Sequence, residues 1–279
     1  MTKLKINFVD FWPDFDATSN FFLDLLKTRF DLEISDSPDF IIYSVFGTTF
    51  RNYHCTRIFY TGENIRPNFD ECDFALSFDF IEHPRHFRLP LYVLYLKDPK
   101  QLVKEDTFNP EKILQEKSKF CNFIYSNGSA QERIDFFEKL SKYKKVDSGG
   151  RVRNNLGCFV LDKLDFIKDY KFTIAFENSS YPGYTTEKLV HPMLVHSLPI
   201  YWGNPRVDED FNPKSFLNYF SFDSDEELIA RIIGLDRNDE LYCRYLREPY
   251  YYHNEPNKYV KPEYVLGFFE KIFEWGKFT

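Results

Sequence analysis

Two carboxylates, an amide and a cation stand close together in residues 176–188, Phe-Glu-Asn-Ser-Ser-Tyr-Pro-Gly-Tyr-Thr-Thr-Glu-Lys. Glu177 and Asn178 close an apolar run, 171–176, that reads as a strand. Open α/β sheets bind ligands at the carboxyl ends of their strands. The Ser-Ser-Tyr-Pro-Gly turn that follows is tight enough to bring backbone near a bound group. Thr185 or Thr186 then caps a helix whose free N–H groups and partial positive charge make a ready phosphate site. Lys188 falls in that first turn, where a cation opposes the helix dipole, and a bound anion would neutralise both. A capped helix with a solvent-exposed Glu187–Lys188 pair accounts for the same residues equally well.

Alternating strands and helices must position these groups. Segments 3–9, 39–47, 57–62 and 74–80 read as strands, with an amphipathic helix over 19–30. Short apolar runs of this kind suggest a mostly parallel sheet with covered faces. Residues 96–120 turn polar and charged and mark the expected boundary between a domain of residues 1–115 and one of 116–279. In the second half, 119–127 reads as strand and loop and 129–143 as a helix. Ser129 and Glu132 have capping-box spacing there, with Ile134, Phe137 and Leu140 on one apolar face. Strand 171–178, helix 186–196 and strand 198–203 form a βαβ unit, in which Pro192 should bend the helix or move its end. Residues 262–278 read as a final amphipathic helix. Two Rossmann-like α/β halves result.

The motif block extends beyond the first cluster. Phe172, Phe176, Glu177, Asn178 and Ser179 are followed by Gly183, Tyr184, Thr186, Glu187 and Lys188, then by Pro199, Ile200, Tyr201, Trp202 and Gly203. This order resembles the signature of the α1,3/4-fucosyltransferases: F-x-x-x-F-E-N-S, G-Y-x-T-E-K, then P-[IV]-Y-W-G. Residues 148–155 resemble the family's Gly-Gly-x-x-x-Asn segment, and 59–69 its Tyr-x-x-Glu-Asn segment. Residues 9–15 resemble the bacterial members. Pro182 in the motif loop is a departure from the pattern.

The resemblance implies a GT-B fold, two Rossmann-like domains facing each other across a cleft, the first binding acceptor and the second GDP-fucose. It implies inversion at the sugar carbon and transfer of L-fucose to a GlcNAc hydroxyl of a lactosamine-type glycan in α1,3 linkage. Position by position, Lys188 and Arg133 would hold the pyrophosphate, Glu187 and Tyr184 would face the fucose, and Asn178, beside Glu177, would position donor hydroxyls or phosphate. Glu63 would be the general base, its pKa raised toward neutrality by burial in the closing cleft. Phe11 and Trp12 are the candidates for stacking on an acceptor sugar. With two cations at the pyrophosphate no obligatory metal is expected, although magnesium or manganese could assist. Two other readings use the same residues: a glycoside hydrolase with Glu63 and Glu187 as its carboxylate pair, and a non-catalytic carbohydrate-binding protein.

Bulk properties limit the alternatives. The 279 residues suit two domains, and 32 Phe with 19 Tyr mean that most rings must be core. A net charge of −7 argues against a nucleic-acid partner. No window offers the ~18 apolar residues of a membrane span, and charge appears too early for a signal peptide. Cys55, Cys72, Cys121, Cys158 and Cys243 form no CxxC pair, and the histidines fit no standard ligand spacing. The sequons at Asn127 and Asn178 fall in the expected donor segments, where a glycan would block the site. These features together point to the cytoplasm, with the inner face of a bacterial membrane as a peripheral location.

Overall fold

A computed structural model describes residues 3–276, which divide into two compact units. The first comprises residues up to Leu94 together with the stretch from Lys258 onward; the second runs from Tyr95 to Asn257.

In the first unit, strands β1 (Leu4–Val9), β2 (Leu32–Ile34), β3 (Phe40–Tyr43), β4 (Thr56–Tyr60), β5 (Phe74–Ser77) and β6 (His86–Arg88) form one parallel sheet. Its order is β2-β1-β3-β4-β5-β6. β3 and β5 are buried along their whole length, as strands covered on both faces must be. Helix α1 (Phe21–Lys27) starts at Asn20, whose side chain accepts the Leu23 N–H.

The helix Pro262–Trp275 also belongs to this unit, not to the second, as the sequence had suggested. Its Phe268, Phe269 and Phe273 make ring contacts with Phe74, Phe87, Phe22, Phe30 and Phe40. An amphipathic pattern announces that a face will be buried, but not against which sheet. The last two residues of the expected helix, 277 and 278, lie outside the described residues.

In the second unit, β7 (Lys119–Phe123), β8 (Val146–Ser148), β9 (Tyr170–Phe176), β10 (Leu198–Trp202) and β11 (Leu217–Asn218) form a parallel sheet in the order β11-β10-β9-β7-β8. Both sheets therefore share one doubly wound topology, strand order 2-1-3-4-5 with a sixth strand added in the first, whose switch point lies between the first and third strands. The helices are α2 (Pro110–Glu116), α3 (Gln131–Ser141), α4 (Lys163–Ile167), α5 (Glu187–Leu194), α6 (Asp225–Arg237) and α7 (Asp239–Arg247).

The polar stretch 96–120 is not a linker, and the boundary falls at 94/95 instead of 115/116. Lys104 pins it to the second unit. Its N–H donates to Asn254 Oδ1 at 2.9 Å, and its ammonium donates to the carbonyls of Leu246 and Glu248 at the end of α7. A cation there completes a helix C-terminus.

Ser129 does not cap α3. Asn127 Oδ1 takes both its N–H (2.8 Å) and its hydroxyl (2.6 Å) in an Asx turn, and the cap position is Ala130, which supplies no side-chain bond. Ile134, Phe137 and Leu140 do form the buried face of this helix. Pro192 sits inside α5, which ends two residues later.

Candidate active site

The ladder between β9 and β10 continues one residue past β9, where the Glu177 N–H donates to the Trp202 carbonyl at 2.8 Å. Glu177 is thereby carried, fully buried, to the carboxyl edge of the sheet. Its Oε1 accepts the Thr186 N–H at 2.8 Å, and its Oε2 accepts the Thr186 hydroxyl at 2.7 Å. Gly203 makes room for it: a Cβ there would lie 2.3 Å from Glu177 Cγ, and its φ of 154° suits glycine. Asn204 next fixes the motif loop. Its Oδ1 accepts the Gly183 N–H at 2.7 Å and its Nδ2 donates to Thr185 Oγ1 at 3.0 Å. Thr186, not Thr185, is the N-cap of α5.

The Lys188 ammonium lies 3.2 Å from Glu177 and 3.6 Å from Glu187, and donates to Thr186 Oγ1 at 3.0 Å. The cation in the first helical turn is thus already opposed by two carboxylates, and the pair is half-buried instead of solvent-exposed: the side chains of Lys188 and Glu187 are 18% and 19% accessible. Burial works against the charge on Lys188, but Glu177 and Glu187 outweigh it and hold the ammonium well above the ordinary lysine range. Burial pushes Glu177 upward against the pull of Lys188. Both Thr186 donors nonetheless call for an accepting carboxylate, so the geometry serves the ionised form. Burial also opposes ionisation of Glu187, yet Lys188, then Lys163 and His191, bring its carboxyl down to about 2.

Arg133, at the third position of α3, is a buried residue, only 1% exposed. Its guanidinium lies over the Tyr125 ring at 4.3 Å and donates to the Asn127 carbonyl at 2.9 Å, while its Nε has no hydrogen-bond partner among the described residues. Tyr125 donates its hydroxyl to the Ile174 carbonyl at 2.8 Å and feels the charges of both Lys188 and Arg133. It stands just past β7, so the two cations flank the switch point between β7 and β9. The Gly-Gly segment passes directly against it: the Val152 N–H bonds to the Tyr125 carbonyl, and a Cβ on Gly150 would lie 2.3 Å from that oxygen.

The structure therefore gathers Glu177, Glu187, Lys188 and Arg133 around one strand edge. Asn178 adjoins them, half-buried, and Tyr184 is buried, its carbonyl accepting the Tyr201 hydroxyl at 3.3 Å. Tyr125, Lys163, His191 and Asn204 also belong to this arrangement and were not picked out from the sequence. Tyr125 becomes visible only once the strand order is known, and Lys163 carries no local signal at all.

In the first unit, Glu63 follows β4 and is half-buried. The buried Thr61 fixes its backbone, accepting the Glu63 N–H and donating to the Glu63 carbonyl, each at 3.0 Å. Phe11 and Trp12 follow β1 at that sheet's own switch point. Phe11 stacks on Phe15 with centroids 3.9 Å apart, and Trp12 meets Phe15 edge-on at 5.2 Å.

Doubly wound sheets with paired cations at a helix N-terminus and switch point define a class of nucleotide-type anion-binding α/β proteins. Residues 6–95 match the α-(1,3)-fucosyltransferase FucT N-terminal domain, and residues 114–265 match the C-terminal part of glycosyltransferase family 10 (fucosyltransferase). The chain belongs to glycosyltransferase family 10. It is 32% identical over 97% of its length to an α-(1,3)-fucosyltransferase FucT of Helicobacter pylori, of which it spans 66%. It is 30% identical over 58% of its length to a GDP-fucose protein O-fucosyltransferase 3 of Xenopus laevis, spanning 38% of that protein. A crystal structure of an α1,3-fucosyltransferase with GDP-fucose superposes with a TM-score of 0.80 and 30% identity, covering 98% of this chain and 90% of that one. The two units are of the GT-B type seen in such enzymes.

Proposed function

We propose that this chain is an inverting glycosyltransferase that moves L-fucose from GDP-fucose to a GlcNAc hydroxyl of a lactosamine-type glycan, forming an α1,3 linkage. The observation that carries the reading is the switch-point cluster, in which Lys188 and Arg133 flank Tyr125 beside the α5 N-terminus. Its relatives include an α1,3-fucosyltransferase solved with GDP-fucose, which supports that donor.

The chemistry follows from the charges. As the glycosidic bond to GDP lengthens, negative charge grows on the leaving diphosphate, where Lys188, Arg133 and the N–H groups of α5 oppose it. Positive charge grows on the sugar ring, where Glu187, ionised at any physiological pH, stabilises it. Tyr184 and Asn178 position the donor, with Glu177 holding Lys188 and the Thr186 cap in place. Glu63 removes the proton from the attacking acceptor hydroxyl. Phe11 and Trp12 are the aromatic candidates for contact with the acceptor sugar. The two cations supply the diphosphate's countercharge, so magnesium or manganese would stimulate but not be required.

A hydrolase has no diphosphate to bind, and that reading would leave Lys188, Arg133 and the N-terminus of α5 without a purpose. Among the described residues no helix is long and apolar enough to cross a membrane, which accords with action in the cytoplasm or peripherally at the inner face of a bacterial membrane.

Calorimetric titration with GDP and GDP-fucose tests the proposal. The wild type should bind both, Lys188→Ala should lose binding, and Glu63→Ala should keep binding while transfer to N-acetyllactosamine disappears. A folded wild type that binds neither nucleotide would refute it.

A further inference from the structure

A general base must sit within hydrogen-bond reach of the proton it removes, and a loop holds a side chain that closely only with support from its neighbours. Glu63 follows β4 on such a loop. Its near flank is fixed by Thr61, and the Ile65 N–H donates back to the Glu63 carbonyl at 2.7 Å. Its far flank is fixed by Arg66. The Nη1 of that guanidinium donates to the Asn64 side-chain oxygen at 2.7 Å and to the Asn64 carbonyl at 3.3 Å.

Arg66 is itself held from the next strand. Its Nε lies 3.1 Å from Asp79 Oδ2, and its guanidinium covers the Phe78 ring at 5.2 Å from the centroid. Asp79 is buried, two residues past the end of β5, and the segment that carries it is strapped to β6. Arg88 Nε donates to the Phe78 carbonyl at 2.9 Å, and the fully buried Ser77 Oγ accepts the Asp79 N–H at 3.3 Å. Ser77 Oγ lies 2.8 Å from His86 Nε2, while His86 Nδ1 faces the Ile81 carbonyl at 3.2 Å. Burial keeps that ring neutral, with a pKa of about 4, so Nδ1 carries its proton and Nε2 accepts the hydroxyl of Ser77. A chain of contacts thus runs from β6 through Asp79 and Arg66 to Asn64, the residue next to Glu63.

Resting on the general-base role proposed above for Glu63, we propose that Arg66, anchored by Asp79, is a positioning residue for that base. Arg66 does not touch the reacting atoms in this scheme. It holds the backbone on the far side of Glu63 against the end of β5, so that the carboxylate meets the acceptor hydroxyl in one place. A guanidinium suits the task, because separate nitrogens face Asn64 and Asp79 while its plane lies on a ring.

The test is steady-state transfer to N-acetyllactosamine, beside GDP titration, for the full chain as wild type, Arg66→Met, Arg66→Lys and Asp79→Asn, and for Arg66→Met in a Glu63→Asp background. Arg66→Met is expected to lower kcat about tenfold, with acceptor KM and GDP affinity within about threefold of wild type. Arg66→Lys should do likewise, because an ammonium cannot serve Asn64 and Asp79 from separate nitrogens, and Asp79→Asn should lose a smaller factor in the same parameter. Glu63→Asp already retracts the carboxylate, so adding Arg66→Met there should cost no more than about threefold. A packing role would cut kcat equally in both backgrounds. Equal cuts, an unchanged kcat in folded Arg66→Met, or a loss that falls on GDP affinity or acceptor KM instead would overturn the inference and leave the proposed function standing. Should Arg66→Met not fold, Arg66→Lys is carried through the same two backgrounds and decides; failure of both to fold would assign Arg66 to stability and overturn the inference. Transfer that survives Glu63→Ala would remove the base role and this inference together, while GDP titration of that variant tests the donor site separately.

Discussion

Arg133 combines near-complete burial, a ring beneath it and a nitrogen left unsatisfied, three conditions that structural arginines seldom meet together. A buried donor without a partner costs about 1–3 kcal/mol, a cost a bound phosphate oxygen would relieve. Arg133→Lys keeps the charge but loses the plane that stacks on Tyr125 and the fork that reaches two acceptors. Its GDP affinity should fall by about one to two orders of magnitude in calorimetry, with little change in melting temperature. Half-buried histidines make a second residue-scale prediction. Burial lowers His86, His191 and His196 to about 4 from the ordinary 6.5. The unfolded chain then binds more protons than the folded one between those values, so stability present at pH 7 is lost as pH falls from about 6.5 to 4, by up to about 3 kcal/mol for each ring. Urea denaturation at pH 7.5 and pH 5 should show it. Within the second unit, His196→Gln, which can still face the Tyr250 hydroxyl 3.0 Å away, should flatten part of the slope.

The βαβ element from β9 to β10 works because its ends interlock. Gly203 lets Glu177 lie against the backbone after β10, and Glu177 in turn holds the Thr186 cap that begins α5. Gly203→Ala would place a methyl 2.3 Å from Glu177 Cγ at a backbone angle that L-residues disfavour. Moving Glu177 would strip Lys188 of its nearest carboxylate, so a loss of about 2–4 kcal/mol in chemical denaturation and a parallel loss of GDP binding are expected. This element was also the most legible part of the sequence. Glu177, Thr186, Glu187 and Lys188 are near neighbours in the chain, so a local motif could carry both their contacts and their chemistry. Arg133 was legible as a residue but not in its burial, because the Tyr125 ring beneath it comes from another element. The cap of α3 was misread for a related reason: Asn127 competes for the Ser129 hydroxyl, and spacing alone does not rank two local hydrogen bonds. Lys163 was missed because Glu187, whose charge it meets, begins a different helix more than twenty residues further along the chain.

At the scale of the whole chain, the helix Pro262–Trp275 is made last and belongs to the unit made first. Its apolar stripe was plain in the sequence, but its partner strands lie about two hundred residues earlier, and periodicity holds no information about that distance. Phe269 is fully buried, with its ring 6.4 Å from Phe22, and Phe273 meets both Phe30 and Phe40. Phe269→Ala should cost about 3–5 kcal/mol, the range for deleting a buried ring, and the loss should fall on the unit that carries Glu63. The second unit holds Lys188, Arg133 and Glu177 with no residue from this helix. Under mild denaturant, then, Phe269→Ala should lose fucosyl transfer well before it loses GDP affinity, whereas in the wild type the two should decline closer together. Simultaneous loss of binding and transfer in the variant would mean that the two units unfold as one, and that the terminal helix secures the donor site as well as its own sheet.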